Sequence, residues 1–234
     1  MIIAIDGPAA SGKSSTAAWV AERLGFRHID SGALYRAATF AAMADGMPDQ
    51  ELSPARVLAA SADIALAPDG GAFAPVRASH PFGEEIRGTE VTRHVSRVAA
   101  MPPVRDWVND RVRDAAVGHD VVVDGRDIGT VVFPGADLKI FLVADPWERA
   151  RRRLMQRLAR RPLEEEIAAE TELIVQRDAR DATQTVQALD AVLIDTTSLT
   201  QAEQVDRIAA LARARGAGIT KGIWDQGSGI RKGE

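Results

Sequence analysis

The 234 residues are 46% hydrophobic and 26% charged with a net charge of −4, which suits one buried core with a modest insertion rather than two full domains. That balance offers no general positive field for nucleic acid or an anionic membrane, so anionic ligands must be met by local arginine clusters. With no cysteine, a disulfide framework, a thiolate zinc site and an iron–sulfur cluster are excluded; with no basic leader and no apolar run near the ~20 residues that span a bilayer, a soluble, cytoplasmic chain is expected.

In chain order, Ile2 to Ile5 is a short β-branched run ending at Gly7-Pro8 and reads as a buried strand. Ala17, Val20, Ala21 and Leu24 then recur at helical spacing, and Gly25 closes that helix. His28-Ile29 forms a second strand before Asp30-Ser31, which can cap a helix running through Leu34, Ala38 and Ala42 to Gly46. Asp63 to Leu66 and Ala72 to Val76 flank the turn Pro68-Asp69-Gly70-Gly71, a hairpin that reads as a small insertion beside the main sheet, over about 62–96. Val121 to Asp124, Leu138 to Val143 and Ala191 to Asp195 are three further strands, with helical segments at 147–161, 164–180 and 201–215. Strands alternating with helices predict an α/β fold with a parallel sheet covered on both faces. Residues 1–215 form one domain in this reading. The glycine-rich segment 216–234 is expected to be a loose tail with Trp224 as its strongest apolar feature.

The sharpest motif is Gly7-Pro8-Ala9-Ala10-Ser11-Gly12-Lys13-Ser14, which satisfies G-x-x-x-x-G-K-[ST] without a mismatch. Glycines let backbone N–H groups turn around a polyphosphate, and the following helix adds its positive end. Lys13 can reach the β- and γ-phosphates of ATP, and Ser14, followed by Ser15, is placed to bind Mg²⁺, largely through nucleotide and water. A glycine turn that merely contains lysine is the plainer alternative. The strand before it and the helix after it favour phosphate binding. A guanine-reading Asn-Lys-x-Asp segment is absent, which leaves a small-molecule kinase.

Two clusters suggest the acceptor. Asp30 to Arg36 follows the second strand, and Asp124-Gly125-Arg126-Asp127 follows the third. In an open parallel sheet both project from the strand ends where ligands bind. Alone, each could be an N-cap or a surface ion pair. Together, the helix start at Ser31, the Tyr35 hydroxyl, Arg36 and Arg126 make a receptor for a second phosphate.

The sequence resembles the bacterial-type cytidylate kinases, P-loop nucleoside monophosphate kinases that phosphorylate CMP and dCMP with ATP and Mg²⁺. The likeness is carried by Ile5-Asp6-Gly7-Pro8, Asp30-Ser31-Gly32-Ala33-Leu34-Tyr35-Arg36, Gly83-Glu84-Glu85-Ile86-Arg87, Val95-Ser96-Arg97-Val98-Ala99-Ala100 with Arg105, Asp124 to Pro134, and Arg177-Asp178-Ala179-Arg180-Asp181. These follow in order from Ile2 to about Leu211. The resemblance implies a P-loop NTPase fold with a five-stranded parallel sheet, a segment closing over the monophosphate, and a lid at about 149–170. It also implies that Ser96, Arg105 and Asp127 read cytosine, that Ser31, Tyr35, Arg36 and Arg126 hold the CMP phosphate, and that Asp181 with Arg177 holds the ribose. Lys13, Arg126, Arg177 and Arg180 would act on the transferring phosphoryl group, with Arg152 a further lid candidate. A carboxylate at Asp127 suits cytosine's exocyclic amine, whereas uracil would turn an acceptor toward it, a penalty of about 1–3 kcal/mol.

One departure is Gln184, where the likeness calls for an arginine, so phosphate binding would be weaker or another lid arginine would substitute. The arginine-rich segment 148–161 is otherwise a solvated face, and no nucleic-acid partner, no membrane partner and a monomer are expected. Rival readings are a kinase for another acceptor (UMP, AMP or shikimate) and a module that binds ATP without transferring it. His28, His80, His94 and His119 lack ligand spacing and receive no catalytic role.

Overall fold

The protein is described by a computed structural model over residues 1–44, 52–158 and 160–217. Its centre is five parallel strands. They are β1 (Ile2–Asp6), β2 (Arg27–Asp30), β6 (Val121–Gly125), β7 (Leu138–Val143) and β8 (Val192–Asp195), in spatial order β2-β6-β1-β7-β8. The alternation of side chains along each strand feeds two different cores. Ile3 and Ile5 of β1 and Val122 of β6 face α1 (Lys13–Leu24) and α8 (Gln201–Ala214). Ala4, Val121 and Val123 point the other way, toward α2 (Ser31–Ala44), α3 (Pro54–Ala60) and α5 (Pro102–Ala116). Both faces are thus covered, which is why β1 and β6 read as near-continuous apolar runs.

The expected hairpin exists as β3 (Ile64–Asp69) and β4 (Ala72–Arg77), but it does not lie beside the sheet. β4 pairs in parallel with β2 through His28↔Ala72 and Ile29↔Phe73, and a two-residue β5 (His80–Pro81) pairs with β4, giving eight strands in place of five. Left alone, β2 would expose a row of unpaired N–H and C=O groups; the hairpin covers it and passes the edge to β3.

Three helices were not anticipated: α3, α5 and, between them, α4 (Thr89–Ala99). α4 and α5 are nonetheless periodic, burying Val91, Val95 and Val98, and Val104, Val108, Val112 and Ala116. Their spacing is visible in retrospect, although β-branched valine is an indifferent helix former and Pro102-Pro103 resembles a break. In the structure those prolines occupy the first helical positions, where no N–H is needed.

After β7, α6 (Pro146–Arg157) and α7 (Glu164–Asp181) pack on each other through Ala150, Leu154, Ile167 and Ile174. Asp145 caps α6 by accepting from Trp147 and Glu148, and Thr200 with Glu203 forms a reciprocal cap on α8. Ala217 is buried against the α8 core, so packing continues into the segment expected to be a tail; residues 218–234, with Trp224, and Gly46 lie outside the described residues.

Candidate active site

The phosphate loop leaves β1 in the middle of the sheet. Gly7 has φ 147°, and a Cβ there would lie 2.1 Å from the Leu142 carbonyl oxygen, so only glycine lets the loop pass β7. Ala10 and Gly12 also have positive φ, 58° and 86°, curling the backbone around the space ahead of α1. Lys13 is buried across the loop and donates to Pro8 O at 2.7 Å. Burial, followed by the charge of Arg126, holds its ammonium well below its ordinary pKa. An anion in the loop would relieve both effects.

Asp124, at the end of β6, joins the two halves of the site. Its Oδ2 accepts from Ser14 Oγ at 2.6 Å, its Oδ1 lies 2.7 Å from His28 Nε2, and its carbonyl accepts from Ser31 Oγ at 2.8 Å. Burial raises the Asp124 carboxyl, but the hydrogen bond and charge of His28, with the Ser14 hydrogen bond and the charge of Lys13, together leave it below its ordinary pKa. The same pairing raises His28 despite burial. A carboxylate oxygen and a hydroxyl oxygen side by side are hard donors of the kind Mg²⁺ prefers, so Ser14 and Asp124 fit that ion. His28, assigned no role from the sequence, thus orients Asp124.

Beside this junction lies a cavity of about 190 Å³. It brings together all nine residues expected to hold the second substrate: Ser31, Tyr35, Arg36, Ser96, Arg105, Arg126, Asp127, Arg177 and Asp181. Asp30 Oδ1 caps α2 by accepting from Ala33 N at 3.0 Å, so Ser31 starts that helix as predicted. A Cβ on Gly125 would stand 2.7 Å from Ser31 Oγ, and its absence lets α2 close on β6. At one end, Arg105 Nη2 donates to Asp127 Oδ2 and its Nη1 donates to Ala99 O at 3.0 Å. Burial raises the Asp127 carboxyl, against the opposing pull of Arg105. The π turn that follows, over Ile128–Val132, is fixed by Asp6, whose two oxygens accept from Ile128 N (2.8 Å) and Gly129 N (2.7 Å). At the other end, Asp181 Oδ2 lies 3.5 Å from Arg126 Nη2 and 3.6 Å from Arg177 Nε. The Nε atoms of both arginines are buried without a hydrogen-bond partner. Burial, with Arg126 beside it, lowers the Arg177 guanidinium to about 10. Two crowded, under-satisfied guanidiniums are poised for an anion.

A larger cleft of about 1100 Å³ opens from Gly12, Lys13, Ser14 and Ser15 toward α6 and the loop before α8. Lys13, Ser14, Arg36, Arg87 and Arg177 border both spaces, so the two meet at a cationic boundary. Arg152 lines the larger cleft with its guanidinium held by the Thr196 and Thr197 carbonyls at 2.6 and 3.0 Å. Arg180, by contrast, is not brought to either space. It is exposed and turned back on Gln176 O at 3.3 Å, because it sits on the solvent side of α7. Gln184 reaches the cavity, but its Oε1 accepts from Arg105 Nη1 at 3.3 Å and so sits beside Asp127's partner. Asp6, His28, Arg87 and Asp124 also belong to the site without having been assigned to it from the sequence; Asp6, Arg87 and Asp124 stand in the motifs that carry the likeness, and His28 does not. Among the described residues no helix is long and apolar enough to cross a membrane.

A profile of the cytidylate kinase family matches residues 3–214. The chain is 42% identical over 229 residues to the cytidylate kinase of Pelodictyon phaeoclathratiforme, covering 92% of this chain and 96% of that protein. It is 43% identical over 219 residues to that of Geobacillus kaustophilus, with 91% and 96% covered. Against the bifunctional pantoate ligase/cytidylate kinase of Synechococcus sp. (strain JA-3-3Ab) it is 45% identical over 224 residues, but spans only 40% of that protein's length. The fold is similar to that of shikimate kinase from Bacteroides thetaiotaomicron, with a TM-score of 0.50 at 14% identity, covering 91% of this chain and 98% of that one.

Proposed function

The chain belongs to the cytidylate kinase family, and we propose how its residues divide the work of moving the γ-phosphoryl group of ATP onto CMP or dCMP. The activity is that of a (d)CMP kinase. The observation that carries the assignment of roles is the cavity holding Arg105–Asp127 at one end and Arg126–Arg177 at the other, against the phosphate loop.

ATP enters the larger cleft with its polyphosphate in the loop Gly7 to Ser15. Backbone N–H groups and Lys13 hold the β- and γ-phosphates. Mg²⁺, when bound near Ser14 and Asp124, neutralises charge on that polyphosphate. Asp127 accepts from the exocyclic amine of cytosine, while Arg105 and Ser96 donate to its ring nitrogen and carbonyl. Ser31, Tyr35, Arg36 and Arg126 hold the CMP phosphate, and Asp181 with Arg177 faces the ribose. An oxygen of the CMP phosphate then attacks the γ-phosphorus in line. As that P–O bond forms, the bond to the β–γ bridging oxygen breaks and ADP leaves. The nucleophile is already an anion, so no general base is required. Lys13, Arg126 and Arg177 stabilise the charge on the equatorial oxygens. Arg180 would join them only if α7 rotated. The reading also includes one domain over 1–215, an insertion at about 62–96, a lid at about 149–170, a monomer and a cytoplasmic location.

Turnover of a panel of nucleoside monophosphates with ATP and Mg²⁺, followed as ADP release, tests the reading. CMP and dCMP should be phosphorylated in preference to UMP and AMP. Faster turnover of UMP would overturn the role given to Asp127, and Lys13→Ala with retained activity would overturn the role of the loop.

A further inference from the structure

One ion pair outside the substrate contacts, with its arginine buried and its carboxylate partly so, grips the phosphate loop itself. Arg149, in the first turn of α6, is 4% exposed and donates Nε to Ala144 O at 3.0 Å. Its Nη1 donates both to Ala9 O at 2.8 Å and to Asp178 Oδ2 at 2.6 Å. Asp178, on α7, uses its other oxygen to accept from Ala9 N at 3.2 Å. Both backbone polar groups of a single loop residue are therefore held by one ion pair that spans the two lid helices.

The next residue reinforces the point. Ala10 has φ 58°, a conformation that a residue with a side chain seldom adopts. Its methyl group packs against Ala150, Leu154, Ile167 and Ile174, the apolar seam between α6 and α7. The middle of the loop is thus clamped by polar contacts at Ala9 and by apolar ones at Ala10, all from the same two helices.

A plainer account is that the pair only pins α6 to α7. Those helices are already joined by their apolar seam and by Glu170, which pairs with Arg153 at 3.2 Å and Arg157 at 3.3 Å. What Arg149 and Asp178 add is the grip on Ala9. A buried guanidinium committed to two backbone carbonyls and a carboxylate is also unlike a surface ion pair, which contributes little.

We propose that Arg149 and Asp178 are positioning residues that preset the phosphate loop for ATP and tie its shape to α7, the helix that carries Arg177 and Asp181 into the acceptor cavity. Neither residue needs to touch a nucleotide. The loop would be held in its curled form before ATP arrives, so that its N–H groups need not be ordered on binding. Displacement of α7 would be felt at Ala9, and through Ala9 at the phosphates of ATP.

ATP binding to the full chain in the presence of Mg²⁺, measured by calorimetry without any acceptor, tests this. Because no monophosphate is present, its result is separate from the cytosine reading. Arg149→Lys and Asp178→Asn should each weaken ATP about tenfold, the scale of one lost charge-assisted hydrogen bond. The double variant should be no weaker than the poorer single one, since the two act as a unit. In steady state the KM for ATP should rise with that for CMP changed less than about twofold, a split that general loosening does not produce. Asp178→Glu, which keeps the carboxylate, should recover most of the affinity and serves where the asparagine variant does not fold. The proposal is overturned if folded variants bind ATP as the parent does, if the single effects multiply in the double variant, or if both KM values rise together.

Discussion

Asp6 is a carboxylate whose surroundings oppose its charge. It is 3% exposed, and burial lifts its pKa from 3.8 to about 6 against the pull of the Gly129 and Ile128 N–H groups. The sign follows from proton binding: between pH 3.8 and 6 the folded chain holds this proton and the unfolded chain does not. The contribution of Asp6 therefore favours folding below that window and is lost as pH rises through it, by up to about 3 kcal/mol for a two-unit shift. Asp30 and Asp127 are also raised, chiefly by burial, and act in the same direction. Urea unfolding of Asp6→Asn beside the parent isolates the residue. The parent should lose stability relative to the variant from pH 4 to pH 6.5 and run parallel to it above; an unchanged difference would sink this account. The sequence places Asp6 in the run Ile5-Asp6-Gly7-Pro8 leading into the loop but gives no sign of its partners or its burial. Which N–H groups a carboxylate accepts depends on the π turn 122 residues away. Gln184 teaches the same lesson from the other side. Its position on the chain suggested a lost phosphate contact, whereas its amide carbonyl lies on Arg105.

At the level of elements, legibility tracked how locally each was specified. Four of the five core strands announced themselves as largely apolar runs, β2 was marked only by His28-Ile29 ahead of a helix cap, and α1 was bracketed by its lysine and by Gly25, which adopts φ 70° at the cap. The docking of β4 on β2 could not be read, because pairing between separate strands leaves no mark on either sequence. The pairing of α6 with α7 belongs to the same class. Glu170 is a second polar link at that junction, beside the Arg149–Asp178 pair: its side chain is 6% exposed, while its partners Arg153 and Arg157 are 29% and 57% exposed. Removing one member of a fully buried pair costs about 3–5 kcal/mol. Here the arginines that remain can turn into water, so Glu170→Ala should cost only about 1–2 kcal/mol. Denaturant unfolding reads this directly. A loss above about 4 kcal/mol would mean that the two guanidiniums stay trapped, and no loss would mean that the apolar seam and the Arg149–Asp178 pair suffice to join the helices.

Across the whole molecule, a chain of net charge −4 gathers Lys13, Arg36, Arg87 and Arg177 where two clefts meet, with Arg126 beside them in the smaller one. Concentrating like charge is unfavourable in the empty protein; burial and mutual repulsion already lower Lys13 and Arg177. Polyanions from both sides reverse that balance, so occupancy of one cleft should favour occupancy of the other. A single molecule in which adenosine and cytidine are joined through a chain of five phosphates would fill both and cross the boundary between them. It has no second association step to complete, so it should bind at least about a hundredfold more tightly than ATP or CMP alone. By mass action, at a concentration of 100 times its own Kd it should stabilise the fold by about 2.7 kcal/mol. Competition is the sharper test: the compound should compete with ATP and with CMP alike. Competition with ATP only would show that the two clefts do not meet at Lys13 and Arg177 in solution, and that the cationic boundary serves the triphosphate alone.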